Sequence, residues 1–148
     1  MEPCDLTAVE ARRLMGGKQL SASELLESCI DRIEAVDPAV NAMVARDFER
    51  ARREAKSADA AVVRGDRLAP LHGLPIGIKD LEPTEGLRTT FGSPLFRDNI
   101  PAKDARLVRA MREAGAIVIG KTNTPEFGAG ANTRNAVYGA TGNPFDSS

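Results

Sequence analysis

The sequence has no tryptophan, one tyrosine, one histidine and two cysteines among its 148 residues. Cys4 and Cys29 are too few for a disulfide framework or a spaced-thiolate metal site, so a reducing cytoplasm is the expected compartment and no metal or organic cofactor is expected. With His72 as the sole histidine, a Ser-His or Cys-His pair would have to use that ring, and a zinc site would need other ligands that the sequence does not cluster. A hydrogen-bonded histidine at the start of a strand is the better reading. No apolar run approaches the ~20 residues that a membrane-spanning helix needs. Met1-Glu2-Pro3-Cys4-Asp5 has neither the basic region nor the apolar core of a secretory signal. No membrane partner is therefore expected. Charge of one sign is also missing: 20 Lys and Arg face 21 Asp and Glu, for a formal net charge of -1. No global field draws such a chain to nucleic acid, and the Arg-rich patches Arg12-Arg13 and Arg50 to Arg53 are mixed with glutamate as on a solvated helix face.

What is present is ordinary for a globular chain, 42% hydrophobic and 28% charged. A domain of this length can bury roughly 70% of its unfolded surface. Thr7-Ala8-Val9-Glu10 has the form of a capping box, opening a short helix that Gly16-Gly17 ends. Ser21-Ala22-Ser23-Glu24 repeats the signature. Leu25, Leu26, Cys29, Ile30, Ile33 and Val36 follow at helical spacing, and this second helix is predicted to stop before Asp37-Pro38. Cys29 lies on that apolar stripe, as expected for a buried structural thiol. Residues 40 to 45 read as a short extended piece, after which Asp47 caps a third helix through Phe48, Ala51, Ala55, Ala58 and Val62, closed by Gly65. The chain thus divides into a helical segment, 1–65, and the start of an α/β core, 66–148.

The richest stretch is Leu71-His72-Gly73-Leu74-Pro75-Ile76-Gly77-Ile78-Lys79-Asp80, a strand that ends on a lysine. Ile76 and Ile78 share one side, and Gly77 and Lys79 the other. An ammonium at the end of an apolar strand beside a Gly-rich turn is expected to be partly desolvated, which favours the neutral amine and suits a base. Set against this is a solvated lysine salt-bridged to Asp80. A helix over Lys103 to Ala114, with Leu107, Val108 and Met111 inward, leads to a second apolar strand, Ala116-Ile117-Val118-Ile119-Gly120-Lys121, so the pattern is βαβ. Ligands of open α/β sheets sit beyond the carboxyl ends of the strands, where Lys79 falls. The closing 122–148 is rich in Gly, Asn, Thr and Ala and reads as loop lining a site.

Several ordered blocks carry a resemblance: Gly73-Leu74-Pro75-Ile76-Gly77-Ile78-Lys79-Asp80, Thr89-Thr90-Phe91-Gly92-Ser93, Ala114 to Asn123, Pro125-Glu126-Phe127 and Gly139 to Asp146. In order and spacing they resemble the amidase signature family, over essentially the whole chain. The resemblance implies an α/β fold in which N-terminal helices precede the first strands of a mixed sheet, here incomplete. It implies a Ser-cisSer-Lys amidase or amidotransferase acting on a small-molecule amide, with Lys79 in the place of the family lysine. Backbone N–H groups of a Gly-rich loop would hold the oxyanion. Gly130, Ala131 and Asn132 fall in a stretch that lines the family's substrate cleft. A homodimer of the full-length enzyme is left open.

The family's two serines belong to a Gly-Gly-Ser-Ser-Gly-Gly type segment, and no such run occurs among these 148 residues. Ser147 and Ser148 match the lead-in to that segment. The chain alone is therefore expected to be inactive, with an exposed apolar sheet edge and poor solubility. The alternative is an inert truncation or a non-enzymatic chain that depends on a partner. Smaller departures, Leu81-Glu82-Pro83 after Asp80 and Arg134 where an acidic residue is common, leave the substrate open. One rival motif remains. Gly115-Ala116-Ile117-Val118-Ile119-Gly120-Lys121-Thr122 matches the P-loop pattern letter for letter, but the residues between its glycines read as strand, and Pro125 follows too soon for a regular helix.

Overall fold

A computed structural model describes residues 2 to 146. In chain order the elements are α1 (Ala8–Gly16), α2 (Ala22–Val40), β1 (Met43–Arg46), α3 (Phe48–Arg64), β2 (Pro75–Lys79), α4 (Arg106–Glu113), β3 (Ile117–Thr122), β4 (Arg134–Asn135) and β5 (Gly139–Ala140). Two compact units form: one from Met1–Ile33, Asp47–Ile76 and Ala110–Ile119, the other from Glu34–Arg46, Gly77–Arg109 and Gly120–Ser148. The fold is mixed α/β. In the main sheet β3 lies between β1 and β2.

The first unit is built from capped helices. Thr7 accepts from the Glu10 amide at 3.2 Å, and the Glu10 carboxylate accepts from the Thr7 amide at 3.1 Å, so the capping box starts α1. At α2 the Ser21 and Glu24 pair acts the same way, and the Asp59 carboxylate accepts from the Ala22 amide at 2.6 Å and the Ser23 hydroxyl at 2.6 Å. α3 starts on Asp47 and ends at Gly65 in the left-handed region (φ 77°), as its sequence predicts. Ala51 and Ala55 of α3 are fully buried, and Met15, Leu26, Ile30 and Val118 fill the core. His72 is buried, with Nε2 3.1 Å from the Ala58 carbonyl oxygen. The Cys29 side chain is only half-buried, and burial pushes its thiol up.

In the second unit β1 pairs antiparallel with β3, Met43 opposite Thr122 and Arg46 opposite Gly120, with an irregularity between Met43 and Ala45. The amide of Asp80 donates to Thr122 O at 2.9 Å. In the first unit Ile117 N donates to Leu74 O at 2.8 Å, so β2 and β3 advance together and are parallel. The sheet is therefore mixed, and β2, α4 and β3 form the expected βαβ unit.

Four expectations need correction. α2 does not stop before Asp37-Pro38 but continues to Val40, with Pro38 inside it. The Asp37 carboxylate collects the Ala42 amide at 2.6 Å, the Met43 amide at 3.1 Å and the Arg46 guanidinium at 2.6 Å, which ties the chain beyond the proline back to the helix end. α4 starts later than Lys103, because the Asp104 carboxylate accepts from the Glu85 amide at 2.8 Å. Within α4, Val108 is buried but Leu107 is 50% exposed, one helical step off the inward face. Finally, the large exposed apolar side chains include Leu95, Ile100, Phe127 and Phe145, which lie on loops and turns and not on a strand edge. The closing segment also holds the β4–β5 hairpin, where the Asn135 side chain accepts from the Val137 and Tyr138 amides at 2.8 Å.

Candidate active site

Lys79 is the last residue of β2. Its side chain is exposed, on the same face of the strand as Gly77, while Ile78 is buried on the other. Among the described residues nothing covers the face that carries Lys79, so the partial desolvation expected from the sequence does not arise from residues 2–146. A Cβ at Gly77 would meet the Thr122 methyl at 2.9 Å, so a larger residue there would make the Thr122 side chain shift. No hydrogen bond or ion pair engages the Lys79 ammonium among the described residues.

Asp80 does not serve as its counter-ion. The Asp80 side chain is fully buried, and its carboxylate accepts from the Thr90 amide at 3.1 Å and the Thr90 hydroxyl at 2.6 Å. Its backbone oxygen accepts from Phe91 N at 3.0 Å. The charge nearest to it is Lys121 Nζ, at 3.9 Å. Burial pushes the Asp80 carboxyl up, against the opposing pull of Thr90 and Lys121.

Lys121 is the residue that sequence reasoning missed. Its side chain is fully buried, and Nζ donates to Glu82 O, to Thr84 Oγ1 at 3.0 Å and to Thr89 Oγ1 at 3.0 Å. Burial brings its pKa down to about 8, although Asp80, Glu82 and Asp104 pull the other way. A lowered value alone would make Lys121 the better base. Its surroundings decide otherwise, since an ammonium has three donors and all three are spent on protein acceptors. The available signal was the unbroken apolar run of 116–119 before it, which marks a strand covered on both faces. The same geometry removes the P-loop reading: the residues after the first glycine form β3, and the lysine is held inward instead of facing an anion.

Gly130, Ala131 and Asn132 are exposed and follow the turn Glu126–Gly128. Gly128, at φ 73°, sits where a Cβ would lie 2.7 Å from Leu81 Cδ1, two residues past Lys79. The turn is therefore brought next to the end of β2, yet no hydrogen bond links Lys79 to residues 130–132 among the described residues. Phe127 N donates to Phe91 O at 2.7 Å, and the rings of Phe91, Phe96 and Phe127 meet edge to face at 5.0 and 6.2 Å. An aromatic wall thus stands beside the strand end. Ser147 and Ser148 lie outside the described residues.

The site therefore consists of an exposed, uncommitted lysine at the carboxyl end of a parallel strand, backed by a buried ion pair. The amidase family profile matches residues 24–148. The chain belongs to the amidase family. Among curated amidase-family relatives, it is 45% identical over 146 residues to a glutamyl-tRNA(Gln) amidotransferase subunit of Moorella thermoacetica, covering 99% of this chain and 30% of that protein. It is 42% identical over 140 residues to an acylamidase of Rhodococcus erythropolis, covering 95% and 29%. The crystal structure of a bacterial aryl acylamidase of the amidase signature family aligns with TM-score 0.90 and 32% identity, covering 95% of this chain and 30% of that one. The chain thus spans about 30% of the length of these amidases. Among the described residues no helix is long and apolar enough to cross a membrane.

Proposed function

We propose that this chain is the lysine-bearing part of an amide-cleaving enzyme with a Ser-cisSer-Lys mechanism, and that Lys79 is its base. The observation that carries the reading is the contrast between the two strand-end lysines. Lys79 is exposed with its ammonium unengaged, whereas Lys121 is buried with every donor committed. In the proposed reaction the neutral Lys79 amine takes a proton through a bridging serine as the nucleophilic serine attacks the amide carbonyl. The C–N bond then breaks, the proton passes to the leaving amine, and water releases the acyl group. Gly130, Ala131 and Asn132 would line the amide cleft, beside the aromatic wall of Phe91, Phe96 and Phe127. Neither serine is supplied by residues 1–146, so these residues alone are expected not to turn over an amide.

The test has two arms. In the complete polypeptide that carries this sequence, Lys79→Ala is expected to lower the acylation rate by about 10²- to 10⁴-fold, the range of general acid–base catalysis. Wild-type acylation would remove Lys79 from the mechanism. Residues 1–148 alone should show no turnover and no labelling by a serine-directed reagent, and labelling of Ser147 or Ser148 would overturn the inactivity.

A second reading, a chain that works only with a partner, has its own support. The Moorella relative is named as a subunit of an amidotransferase, and a structure described as a vestigial protein complex aligns with TM-score 0.91 at 38% identity, covering 96% of this chain and 31% of that one. A stable hetero-complex of the complete polypeptide on size-exclusion chromatography of native extract is the expected sign of that reading.

A further inference from the structure

We propose that Asp80 and Lys121 are positioning residues for Lys79, holding the turn that follows it without touching substrate; the inference rests on the reading of Lys79 as the base. The hydrogen bonds run outward from Lys79 in two directions. On one side, the Lys79 carbonyl accepts from Glu82 N at 3.0 Å, and the Glu82 carbonyl accepts from Lys121 Nζ. The turn that follows the lysine is therefore closed by its own backbone and pinned at its far end by a buried ammonium. The same ammonium holds Thr84 and Thr89, whose hydroxyls donate in turn to Glu82 O and Leu87 O at 3.0 and 3.1 Å.

On the other side stands Asp80, next to Lys79 in the chain. Its amide is tied to Thr122 O, its carbonyl accepts from Phe91 N, and its carboxylate holds Thr90 by both the amide and the hydroxyl. Thr90 Oγ1 passes the constraint on by accepting from Gly92 N at 3.1 Å. Gly92, at φ 68°, fits where a Cβ would lie 3.1 Å from Thr124 O and from Glu126 Cα. The two charges, 3.9 Å apart, thus tie the loop from both ends, and the Lys79 carbonyl and the Asp80 amide on either side of the same peptide link are both bonded.

Stability alone is a weak reason to keep such a pair, because an apolar pair of equal volume stabilises a core at least as well as two desolvated charges. Fixed placement of a base is a stronger one, since a displacement of about 1 Å can lower a rate about 100-fold.

The experiment uses the complete, catalytically active polypeptide and three variants, Asp80→Asn, Thr90→Val and Thr90→Ser, with hydrogen exchange measured at the Glu82, Phe91 and Gly73 amides. Asp80→Asn and Thr90→Val are expected to lower kcat about 10- to 100-fold with KM within about twofold, and to speed exchange at Glu82 and Phe91 about tenfold or more while Gly73 is unchanged. Thr90→Ser, which keeps the hydroxyl, restores kcat to within about threefold. A wild-type kcat in Thr90→Val, a loss of kcat with unchanged exchange at Glu82 and Phe91, or a Thr90→Ser as slow as Thr90→Val overturns the inference. Lys79→Ala is the control that separates the two claims. An inactive Lys79→Ala with a fully active Thr90→Val sinks the positioning role alone, whereas an active Lys79→Ala sinks the base assignment and the positioning role with it.

Discussion

Lys121→Met keeps the bulk of the side chain and removes its charge, which makes it the sharpest probe of the buried pair. The hydrogen bonds lost are less serious than they look. Glu82 O still accepts from the Thr84 hydroxyl at 3.0 Å, and the Thr89 hydroxyl still donates to Leu87 O at 3.1 Å. What remains is the Asp80 carboxylate, buried without a cation. Breaking a buried ion pair in this way costs about 3–5 kcal/mol, and the lower half of that range is expected here because the Thr90 amide and hydroxyl continue to donate to Asp80. Protonation offers the stranded carboxyl an exit. The Asp80 pKa is already raised by burial, and a folded-state value above the unfolded one means that the folded form binds the extra proton. The penalty of Lys121→Met should therefore be complete above the raised value and vanish as pH falls below the ordinary aspartate value. Adding Asp80→Asn removes the stranded charge, so the double variant should be more stable at pH 7 than Lys121→Met alone, with a coupling of about 2 kcal/mol. Urea unfolding followed by far-ultraviolet circular dichroism suits a chain with no tryptophan and one tyrosine. A cost below about 1 kcal/mol, or effects that add within about 0.5 kcal/mol, would refute the reasoning.

Two further outcomes follow from single positions. Lys121 should titrate near 8, seen in the ε-carbon and ζ-nitrogen resonances of labelled protein. Because this lies below the value of an unfolded lysine, the unfolded chain binds more protons from about pH 8 to about 10.4, and Lys121 makes stability rise with pH through that window by roughly 3 kcal/mol; a Lys121 that titrates above 10 contradicts this. Gly115→Ala should lower stability by about 1–3 kcal/mol, because residue 115 has φ 92° and a Cβ there would lie 2.9 Å from His72 Cα. A thermal midpoint unchanged by that substitution would show that the backbone yields at no cost.

What could be read from the sequence was set by how far apart the partners lie. The Thr7–Glu10 box, the Asp47 cap and the Gly65 stop act within four residues, and the structure realises each of them. The end of α2 went astray although it too is local. The rule that a helix stops before proline omits a carboxylate at 37 that gathers donors from 42, 43 and 46. At the candidate site the alternation of Ile78 and Lys79 separates inward from outward, with Ile78 buried and Lys79 exposed among the described residues. Lys121 lay furthest from reach. Its acceptors come from Glu82, Thr84 and Thr89, 32 to 39 residues earlier, and nothing in the spacing of those residues announces a cage.

Both lysines lie at the carboxyl ends of apolar strands, and sequence pattern treats them alike; sheet order separates them. β3 is the central strand, so a side chain at its end meets the loops that leave β2 and is buried by them, whereas Lys79 ends a flanking strand with one face uncovered. Burial then does opposite work at the two ends. It confines Lys121 to holding backbone, and it leaves Lys79 an uncommitted amino group on a rigid support, as the proton transfer in the proposed reaction requires.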